Sequence, residues 1–189
     1  MEEEDQRHEV CSIESAPGLY LTDWVGAASV SEANILGITH ILSIMTAAEF
    51  EQYGPDETQG VELRHLEVAD EESADILQYF PQECGWIDNA LSATGAGVLV
   101  HCQQGVSRSV AFVVAYLMKR FKLSYREGLK LVKSDRSIVN VNAGFEGQLR
   151  SWERELQGFP TAIEPTSPKS PVKEINATGV IDFVEAERN

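Results

Sequence analysis

The sequence contains little cysteine and no long apolar run. Its 189 residues include three cysteines, at positions 11, 84 and 102, which are odd in number and widely spaced. Such a set is typical of reduced thiols in a cytosolic or nuclear setting and not of a disulfide framework. No apolar run reaches the roughly 18 residues that a membrane-spanning helix needs. The longest candidate, Val110 to Leu117, predicts at most a buried helix.

Basic residues are scarce as well. The chain has 15 lysine and arginine residues against 30 aspartate and glutamate residues, which gives a formal net charge of −15. A field of this sign repels nucleic acid and anionic lipid headgroups, so neither is an expected partner. The first ten residues, MEEEDQRHEV, contain neither the basic region nor the apolar stretch of a secretory signal. We therefore expect a monomeric protein of the cytoplasm, or of the nucleus as well.

The composition predicts one folded domain with a polar segment on each side. Apolar residues make up 43% of the chain, which is enough for a packed core and too many for a disordered protein. Residues 1–9 are acidic and polar, as in a flexible arm, and residues 10–158 form the predicted domain. Residues 159–189 begin with a stretch rich in proline, serine and threonine, which predicts a tail or linker. Within it, residues 179–187 are compatible with a short strand or a docking segment.

Strand and helix signals alternate along the predicted domain. The predicted strands are 18–21, 39–44, 61–68 and 97–101, and the predicted helices are 29–37, 75–92, 107–121, 124–133 and 142–157. The first helix is expected to begin at an N-capping serine, the 75–92 helix to be irregular at Pro81, and the 61–68 strand to be half-buried. This order predicts an α/β fold, with a central, mostly parallel sheet flanked by helices on both faces.

The segment His-Cys-Gln-Gln-Gly-Val-Ser-Arg-Ser at 101–109 lies between a predicted buried strand and a predicted buried helix. Cys102 there faces the positive end of the helix dipole and a ring of backbone N–H groups, which favour a thiolate. Gly105 allows the loop to curl, and the planar fork of Arg108 can bind two phosphate oxygens. The pattern predicts an anion cradle built around a nucleophile. The alternative, a structural cysteine beside a helix-capping arginine, leaves the glycine, the serines and the spacing unexplained.

The spacing His-Cys-x5-Arg followed by serine resembles the active-site motif of cysteine-based protein phosphatases, and HCQQGVSRS is similar to their dual-specificity branch. The resemblance covers roughly residues 13–157. It includes PGLYLTDWVGAAS, GITHILSI, the segment around Asp70, AYLM and NAGFEGQL at 142–149. Within the family, the chain looks nearest to the group of dual-specificity phosphatase 12 and its fungal Yvh-type relatives. That group carries a C-terminal zinc-binding domain, whereas this chain has neither cysteine nor histidine after Cys102.

The resemblance implies a role for each residue of the motif and for a few outside it. Residues 103–108 would bind the phosphate: Gln103, Gln104, Gly105, Val106, Ser107 and Arg108. Ser109 would stabilise Cys102 as the leaving group of the second step. His101 would brace the loop from below as a buried residue and not as a general base, and Asn142 would tie down the loop backbone. The reaction needs no cofactor or metal, and the scattered histidines suggest no metal site.

The general acid must come from a carboxyl group near the loop. The candidates in the sequence are Glu67, Asp70, Glu71, Glu72 and Asp75. Asp70 follows directly on the strand 61–68, so it is expected at the same sheet edge as the loop, and it also matches the family's acid aspartate. Asp75 is the second choice and is interpreted mainly as an N-cap of the following helix.

The resemblance also bounds the substrate. No segment matches the tyrosine-recognition loop of classical tyrosine phosphatases, which implies a shallow pocket for phosphotyrosine and phosphoserine/threonine in a phosphoprotein. Residues 103–107 contain no lysine, which argues against phosphoinositides. Two alternatives remain. The chain could be an assembly or scaffold factor of the ribosome-biogenesis type that uses the fold mainly for binding. A rhodanese-like or arsenate-reducing thiol enzyme is the other alternative, but it would leave Asp70 and Asn142 without a role.

Overall fold

The computed structural model describes residues 8–33, 36–55, 60–158, 173–175 and 181–183. Residues 1–7 of the predicted arm and most of the predicted tail lie outside these ranges. The strands are β1 (Cys11–Ser12), β2 (Leu19–Thr22), β3 (Ile38–Met45), β4 (Glu62–Glu67), β5 (Gly97–His101), β6 (Lys173–Ile175) and β7 (Ile181–Phe183). The helices are α1 (Trp24–Ala33), α2 (Ala47–Tyr53), a 3₁₀ turn (Leu77–Tyr79), α3 (Phe80–Leu91), α4 (Arg108–Phe121), α5 (Tyr125–Asp135) and α6 (Ala143–Leu156).

All the strands join one sheet, in the order β1-β2-β5-β3-β4-β6-β7. The four central strands, β2, β5, β3 and β4, are parallel to one another. β1 pairs antiparallel with β2 at one edge, and β6 pairs antiparallel with both β4 and β7 at the other. The predicted fold class, a mostly parallel α/β sheet, is confirmed. Strand β5 lies between β2 and β3, so the loop that follows it emerges from the middle of the sheet.

Helices cover both faces of the sheet, as predicted. Successive residues of β5 point to opposite faces: Val98 and Val100 pack in the larger core with α3, α4, α5 and α6, whereas Leu99 packs in a smaller core with α1 and α2. Every residue of β5 is buried, which explains why its sequence is a continuous apolar run. In α4 the eleven residues 108–118 are all buried. No helix among the described residues has the length and apolar character needed to cross a membrane.

Three sequence predictions at the element level were wrong in detail. The predicted helix 75–92 is a 3₁₀ turn followed by α3, which starts at Phe80 with Pro81 in its first turn. Helix α1 begins at Trp24, five residues before the predicted serine, because the side chain of Asp23 accepts a hydrogen bond from the N–H of Gly26 at 2.9 Å and acts as the cap. Strand β4 is buried on both faces and not on one. Its polar residue Arg64 can be buried because it pairs with the buried Glu83 at 3.2 Å.

Strands β6 and β7 lie within the segment 159–189, for which a tail or linker is predicted. The backbone of residues 173–175 pairs with β4, and residues 181–183 pair in turn with β6. β7 falls inside 179–187, where a short strand is one of the two predictions. These pairings extend the sheet past its parallel centre. The domain boundary after residue 158 remains a prediction.

Candidate active site

The nucleophile candidate, Cys102, is the first residue after β5 and is buried, with 1% of its surface exposed. Its sulfur accepts two hydrogen bonds, one from the backbone N–H of Gly105 and one from the hydroxyl of Ser109, both at 3.2 Å. Each donor stabilises negative charge on the sulfur. The chain therefore curls around Cys102 before entering α4, as the sequence pattern predicts.

Gly105 makes this curl possible. Its φ angle is +63°, and a Cβ atom at this position would lie 2.6 Å from the carbonyl oxygen of Thr22. Any other residue would strain the backbone and collide with the end of β2. The Gly105 carbonyl accepts a hydrogen bond from Nε of Arg136 at 2.9 Å, and Arg136 is fully buried. Arg136 thus anchors the loop backbone, a role that nothing in its sequence context indicates.

The guanidinium of Arg108 is held so that one edge remains available. Nη1 donates to Glu49 Oε2 at 2.5 Å and to the Val68 carbonyl at 3.0 Å, and Nη2 donates to Glu49 Oε1 at 2.9 Å. Nε is buried and has no hydrogen-bond partner among the described residues. The edge formed by Nε and the second Nη2 hydrogen is therefore free to bind two oxygens of an anion.

Glu49, which the sequence analysis did not identify, positions Arg108. It is the third residue of α2 and forms a capping box with Thr46, whose hydroxyl accepts a hydrogen bond from the N–H of Glu49. The hydrogen bond from Arg108 lowers the pKa of Glu49 below its ordinary value, against the opposing effect of partial burial. Burial alone would lower the pKa of Arg108, but Glu49 and the nearby Cys102 and Asp70 raise it. The pair is therefore ionised at neutral pH.

Asp70 lies next to the loop, at the position expected for a general acid. Its Oδ1 accepts hydrogen bonds from the Ser107 hydroxyl at 2.7 Å and from Asn142 Nδ2 at 2.8 Å. Its Oδ2 lies 3.9 Å from Nε of Arg108. Since about a third of the side chain, 35%, is exposed, the carboxyl group can reach a bound substrate from the solvent side.

The other carboxylates, Glu67, Glu71, Glu72 and Asp75, are exposed like Asp70. What distinguishes Asp70 among these described residues is its hydrogen bonds from Ser107 and Asn142. Asp75 was also expected to cap a helix, and this expectation was wrong: its carboxylate accepts a hydrogen bond from the side chain of Gln78 at 3.1 Å. The backbone N–H groups of Ile76 and Leu77 donate instead to Gln148 Oε1, at 2.7 and 2.9 Å. A glutamine from α6 therefore replaces the predicted local cap.

Asn142 contacts different atoms from those expected. Besides its bond to Asp70, its Oδ1 caps α6 by accepting from the N–H of Phe145 at 2.9 Å, and its own N–H donates to Ser107 Oγ at 3.4 Å. The tie to the loop backbone comes from Asn140, whose N–H donates to the Val106 carbonyl at 2.9 Å. Asn142 therefore orients the carboxyl group of Asp70 instead of the loop backbone.

His101 lies beneath the loop and is fully buried. Its Nε2 lies 2.5 Å from the hydroxyl of Ser43 on the neighbouring strand β3. Burial lowers the pKa of His101 to about 4, so the ring is neutral at physiological pH. This geometry suits the predicted brace and not a general base. On the outer side of the loop, Gln104 is exposed and the Gln103 carbonyl accepts from the N–H of Trp24 at 3.4 Å.

Metal-ligating side chains do not cluster in the part of the chain that the structure describes. Across the described ranges, no group of three or more histidine, cysteine, aspartate or glutamate side chains could hold a metal ion. The three cysteines are all free and buried. For Cys84, burial raises the pKa to about 12, so its thiol stays protonated.

A buried cysteine within a curled loop, an arginine with a free edge and an aspartate beside both define a site for nucleophilic attack on an oxyanion. Comparison with known proteins identifies the family. The family described as "Dual specificity phosphatase, catalytic domain" matches residues 19–155. The chain belongs to this family.

Individual relatives agree with this assignment. The chain is 38% identical over 143 residues to the mouse serine/threonine/tyrosine-interacting protein, covering 74% of the chain and 63% of that protein. It is 38% identical over 136 residues to dual specificity protein phosphatase 1B of Arabidopsis thaliana, covering 69% and 78%. The crystal structure of the human tyrosine phosphatase-like serine/threonine/tyrosine-interacting protein superposes with a TM-score of 0.74 at 36% identity, covering 80% of this chain and 99% of that one.

The chain spans only part of the length of several curated relatives. The chain spans 63% of the length of the mouse relative and 41% of human dual specificity protein phosphatase 4. The narrower resemblance to dual-specificity phosphatase 12 and its Yvh-type relatives remains a prediction.

Proposed function

We propose that this chain is a protein phosphatase that hydrolyses phosphotyrosine and phosphoserine/threonine monoesters through a cysteinyl-phosphate intermediate. The observation that carries the proposal is the position of Cys102. Its sulfur accepts hydrogen bonds from Gly105 and Ser109 in the same loop that ends at Arg108. The buried Nε of Arg108 has no hydrogen-bond partner among the described residues. The free edge of the Arg108 guanidinium, next to a nucleophile, is suited to bind an anion, and a phosphate monoester is an anion of this kind.

In the first step, the Cys102 thiolate attacks phosphorus in line with the leaving group. An S–P bond forms as the P–O bond to the leaving group breaks. The free edge of Arg108 and the loop N–H groups hold the equatorial oxygens. Asp70 enters the reaction protonated and donates its proton to the departing oxygen. Its bonds from Ser107 and Asn142 orient the carboxyl group for this transfer.

In the second step, water attacks phosphorus, and Asp70, now a carboxylate, accepts a proton from that water. The S–P bond breaks and inorganic phosphate leaves. The Ser109 hydroxyl, 3.2 Å from the sulfur, donates a hydrogen bond to Cys102 as the sulfur regains its negative charge. Ser109 thus makes the thiolate a better leaving group.

A second candidate function is a binding protein, such as an assembly or scaffold factor of the ribosome-biogenesis type. The observation that favours it is the 36% identity to a human protein described as tyrosine phosphatase-like. The joint presence of Cys102, Arg108 and Asp70 favours catalysis. The substrate class, a phosphoprotein, and the breadth across phosphotyrosine and phosphoserine/threonine are parts of the proposal that rest on the family.

The test compares two substrates of different leaving-group quality, a phosphotyrosine peptide and an activated aryl phosphate. We expect Cys102→Ser to abolish hydrolysis of both, because this loop does not ionise a serine hydroxyl. Asp70→Asn should reduce kcat on the peptide by roughly 100-fold or more, and on the activated ester far less, because a good leaving group departs unprotonated. Asp75→Asn is the control and should change neither.

Three results would count against the proposal. A folded wild-type protein that binds the phosphopeptide without hydrolysing it is a binding protein. Turnover by a folded Cys102→Ser protein would exclude the cysteinyl-phosphate intermediate. An equal loss on both substrates in Asp70→Asn would show that another group supplies the proton.

A further inference from the structure

An exposed aromatic side chain lies beside the loop that follows β5. The described residues include two large apolar side chains that are exposed, Trp24 at 36% and Phe121 at 43%. Trp24 is the first residue of α1, and its backbone N–H donates to the carbonyl of Gln103 in the loop at 3.4 Å. Exposure of an indole beside a ligand site leaves apolar surface for the ligand to cover.

Trp24 is paired with a second aromatic residue from another element. Its ring centroid lies 4.9 Å from that of Tyr53, with an angle of 42° between the planes. Tyr53 ends α2, one helical turn after Glu49. Glu49 contacts both terminal nitrogens of Arg108, so Tyr53 lies one helical turn from the residue that holds the arginine of the cradle.

The sheet order shows where this pair lies. Trp24 follows β2 and Tyr53 follows β3, and these strands flank β5 on opposite sides. The helices α1 and α2, which follow β2 and β3, therefore start on either side of the carboxyl end of β5. The loop of Cys102 begins at that end, and the hydrogen bond from Trp24 to Gln103 places Trp24, the first member of the pair, against the loop.

This arrangement distinguishes two kinds of leaving group. A phosphate bound between the loop and Arg108 carries its leaving group toward the rim of the cradle. In phosphotyrosine that group is an aromatic ring joined to phosphorus through one oxygen, whereas in phosphoserine it is a short alkyl chain. An aromatic wall attracts a ring through offset or edge-to-face contacts and gains little from an alkyl chain.

We propose, on the basis of the phosphatase function proposed above, that Trp24 and Tyr53 form an aromatic wall that contacts the ring of phosphotyrosine and makes the site prefer aryl over alkyl phosphates. This wall would provide in part what the tyrosine-recognition loop of other phosphatases provides. Neither residue takes part in the chemical steps; both determine specificity.

The test uses two peptides of the same sequence, one with phosphotyrosine and one with phosphoserine at the same position. Binding to the Cys102→Ser protein is measured by calorimetry, with inorganic phosphate as a third ligand, and kcat/KM is measured in the active protein. Trp24→Ala should weaken phosphotyrosine-peptide binding roughly threefold to tenfold, the range of one aromatic contact. Binding of the phosphoserine peptide and of inorganic phosphate should stay within about twofold, and kcat/KM should change in the same pattern.

Three further variants complete the design. Trp24→Phe should retain most of the preference, and Tyr53→Leu should lose part of it. Phe121→Ala is the matched control, because Phe121 is equally exposed but ends α4, about 20 Å from Arg108 at 1.5 Å per residue. Phe121→Ala should leave the affinity for all three ligands unchanged.

The possible outcomes separate the two proposals. Equal losses of affinity for both peptides in Trp24→Ala would show that Trp24 has a structural role. An unchanged affinity for the phosphotyrosine peptide would show that Trp24 does not contact the ring. Either result overturns the aromatic wall while the phosphatase function stands. A protein that binds phosphotyrosine in a Trp24-dependent way but hydrolyses nothing would retain the wall and overturn the phosphatase function. Binding of none of the three ligands by a folded protein would overturn both.

Discussion

Arg108 has five N–H bonds, and its neighbours determine which of them a substrate can use. Glu49 and the Val68 carbonyl occupy both hydrogens of Nη1 and one of Nη2. The remaining two point along one edge of the guanidinium. Glu49 therefore acts through Arg108, as a positioning residue, by fixing the rotation of the plane as well as its charge.

We expect Glu49→Gln to reduce kcat/KM for a phosphotyrosine peptide by roughly tenfold to 100-fold. Glutamine has an NH2 group in place of one carboxylate oxygen, so one charge-assisted hydrogen bond to Arg108 is lost and two N–H donors face each other. The affinity for vanadate should fall in parallel, since the oxyanion uses the edge that Glu49 orients. Glu51→Gln, an exposed neighbour on α2, is the control. A Glu49→Gln protein within twofold of wild type would show that the loop alone positions Arg108.

Among individual residues, the sequence pointed to those of the motif and to His101 beneath it, but not to Glu49 and Arg136. Cys102, Arg108 and Ser109 belong to one loop, and Asp70 directly follows a predictable strand. Glu49 is 59 residues from Arg108, and Arg136 is 31 residues from Gly105. Such contacts depend on tertiary packing, and a single sequence carries no local signal for them. The capping box of Thr46 and Glu49 could have indicated α2, although not its ion pair.

Among the elements, the loop and α4 depend most on one backbone conformation. Gly105 combines a positive φ with a close approach to the end of β2, so Gly105→Ala should be strained in two ways. We expect the melting temperature to fall by roughly 3–10 °C, corresponding to about 1–3 kcal/mol, with activity lost in the fraction that folds.

Gly147→Ala offers a control of opposite sign. Gly147 lies in the middle of α6, and a Cβ atom there meets nothing within 4 Å. Alanine in a helix interior is favoured over glycine by up to about 1 kcal/mol, so the melting temperature should rise by roughly 2–3 °C. Thermal melts of both variants check the pair. A stable, active Gly105→Ala protein would mean that the loop can rearrange around Cys102.

The predicted strands and helices of the domain are present, but their ends were less accurate, and β1 and α2 were not predicted. β5 was placed at its observed bounds because a fully buried parallel strand is apolar throughout. α1 was placed too late, because its cap, Asp23, comes directly after a short strand and resembles a turn residue. β4 appeared half-buried from its alternation, since the burial of Arg64 depends on Glu83, which is 19 residues away.

For the whole molecule, the buried histidine makes stability depend on pH. The pKa of His101 is about 4 in the folded protein, against an ordinary value of 6.5. Between these values the unfolded chain binds a proton that the folded protein does not, so folding stability falls as pH decreases from 6.5 to 4. If the whole pKa difference contributes, the free energy of unfolding decreases by about 3 kcal/mol over this range.

Urea unfolding at several pH values between 7 and 4 measures this dependence. His101→Gln keeps a hydrogen-bonding group near Ser43 and does not titrate, so its stability should be lower at pH 7 but should decrease less on acidification. Subtracting the unfolding free energy of one protein from that of the other at each pH removes the contribution of the remaining titrating groups to a first approximation. Parallel curves for wild type and His101→Gln would show that His101 is protonated in the folded protein well above pH 4.

Helix α4 starts at the arginine of the cradle and is buried without interruption through Met118. The same helix therefore fills the core and carries Arg108 at its first position. In a saturation mutagenesis library, substitutions along this helix would be eliminated by a screen for abundance and by a screen for turnover alike. Heritable changes in substrate preference should accordingly accumulate at rim residues such as Trp24 and Tyr53, and should leave the buried positions 108–118 of α4 nearly invariant.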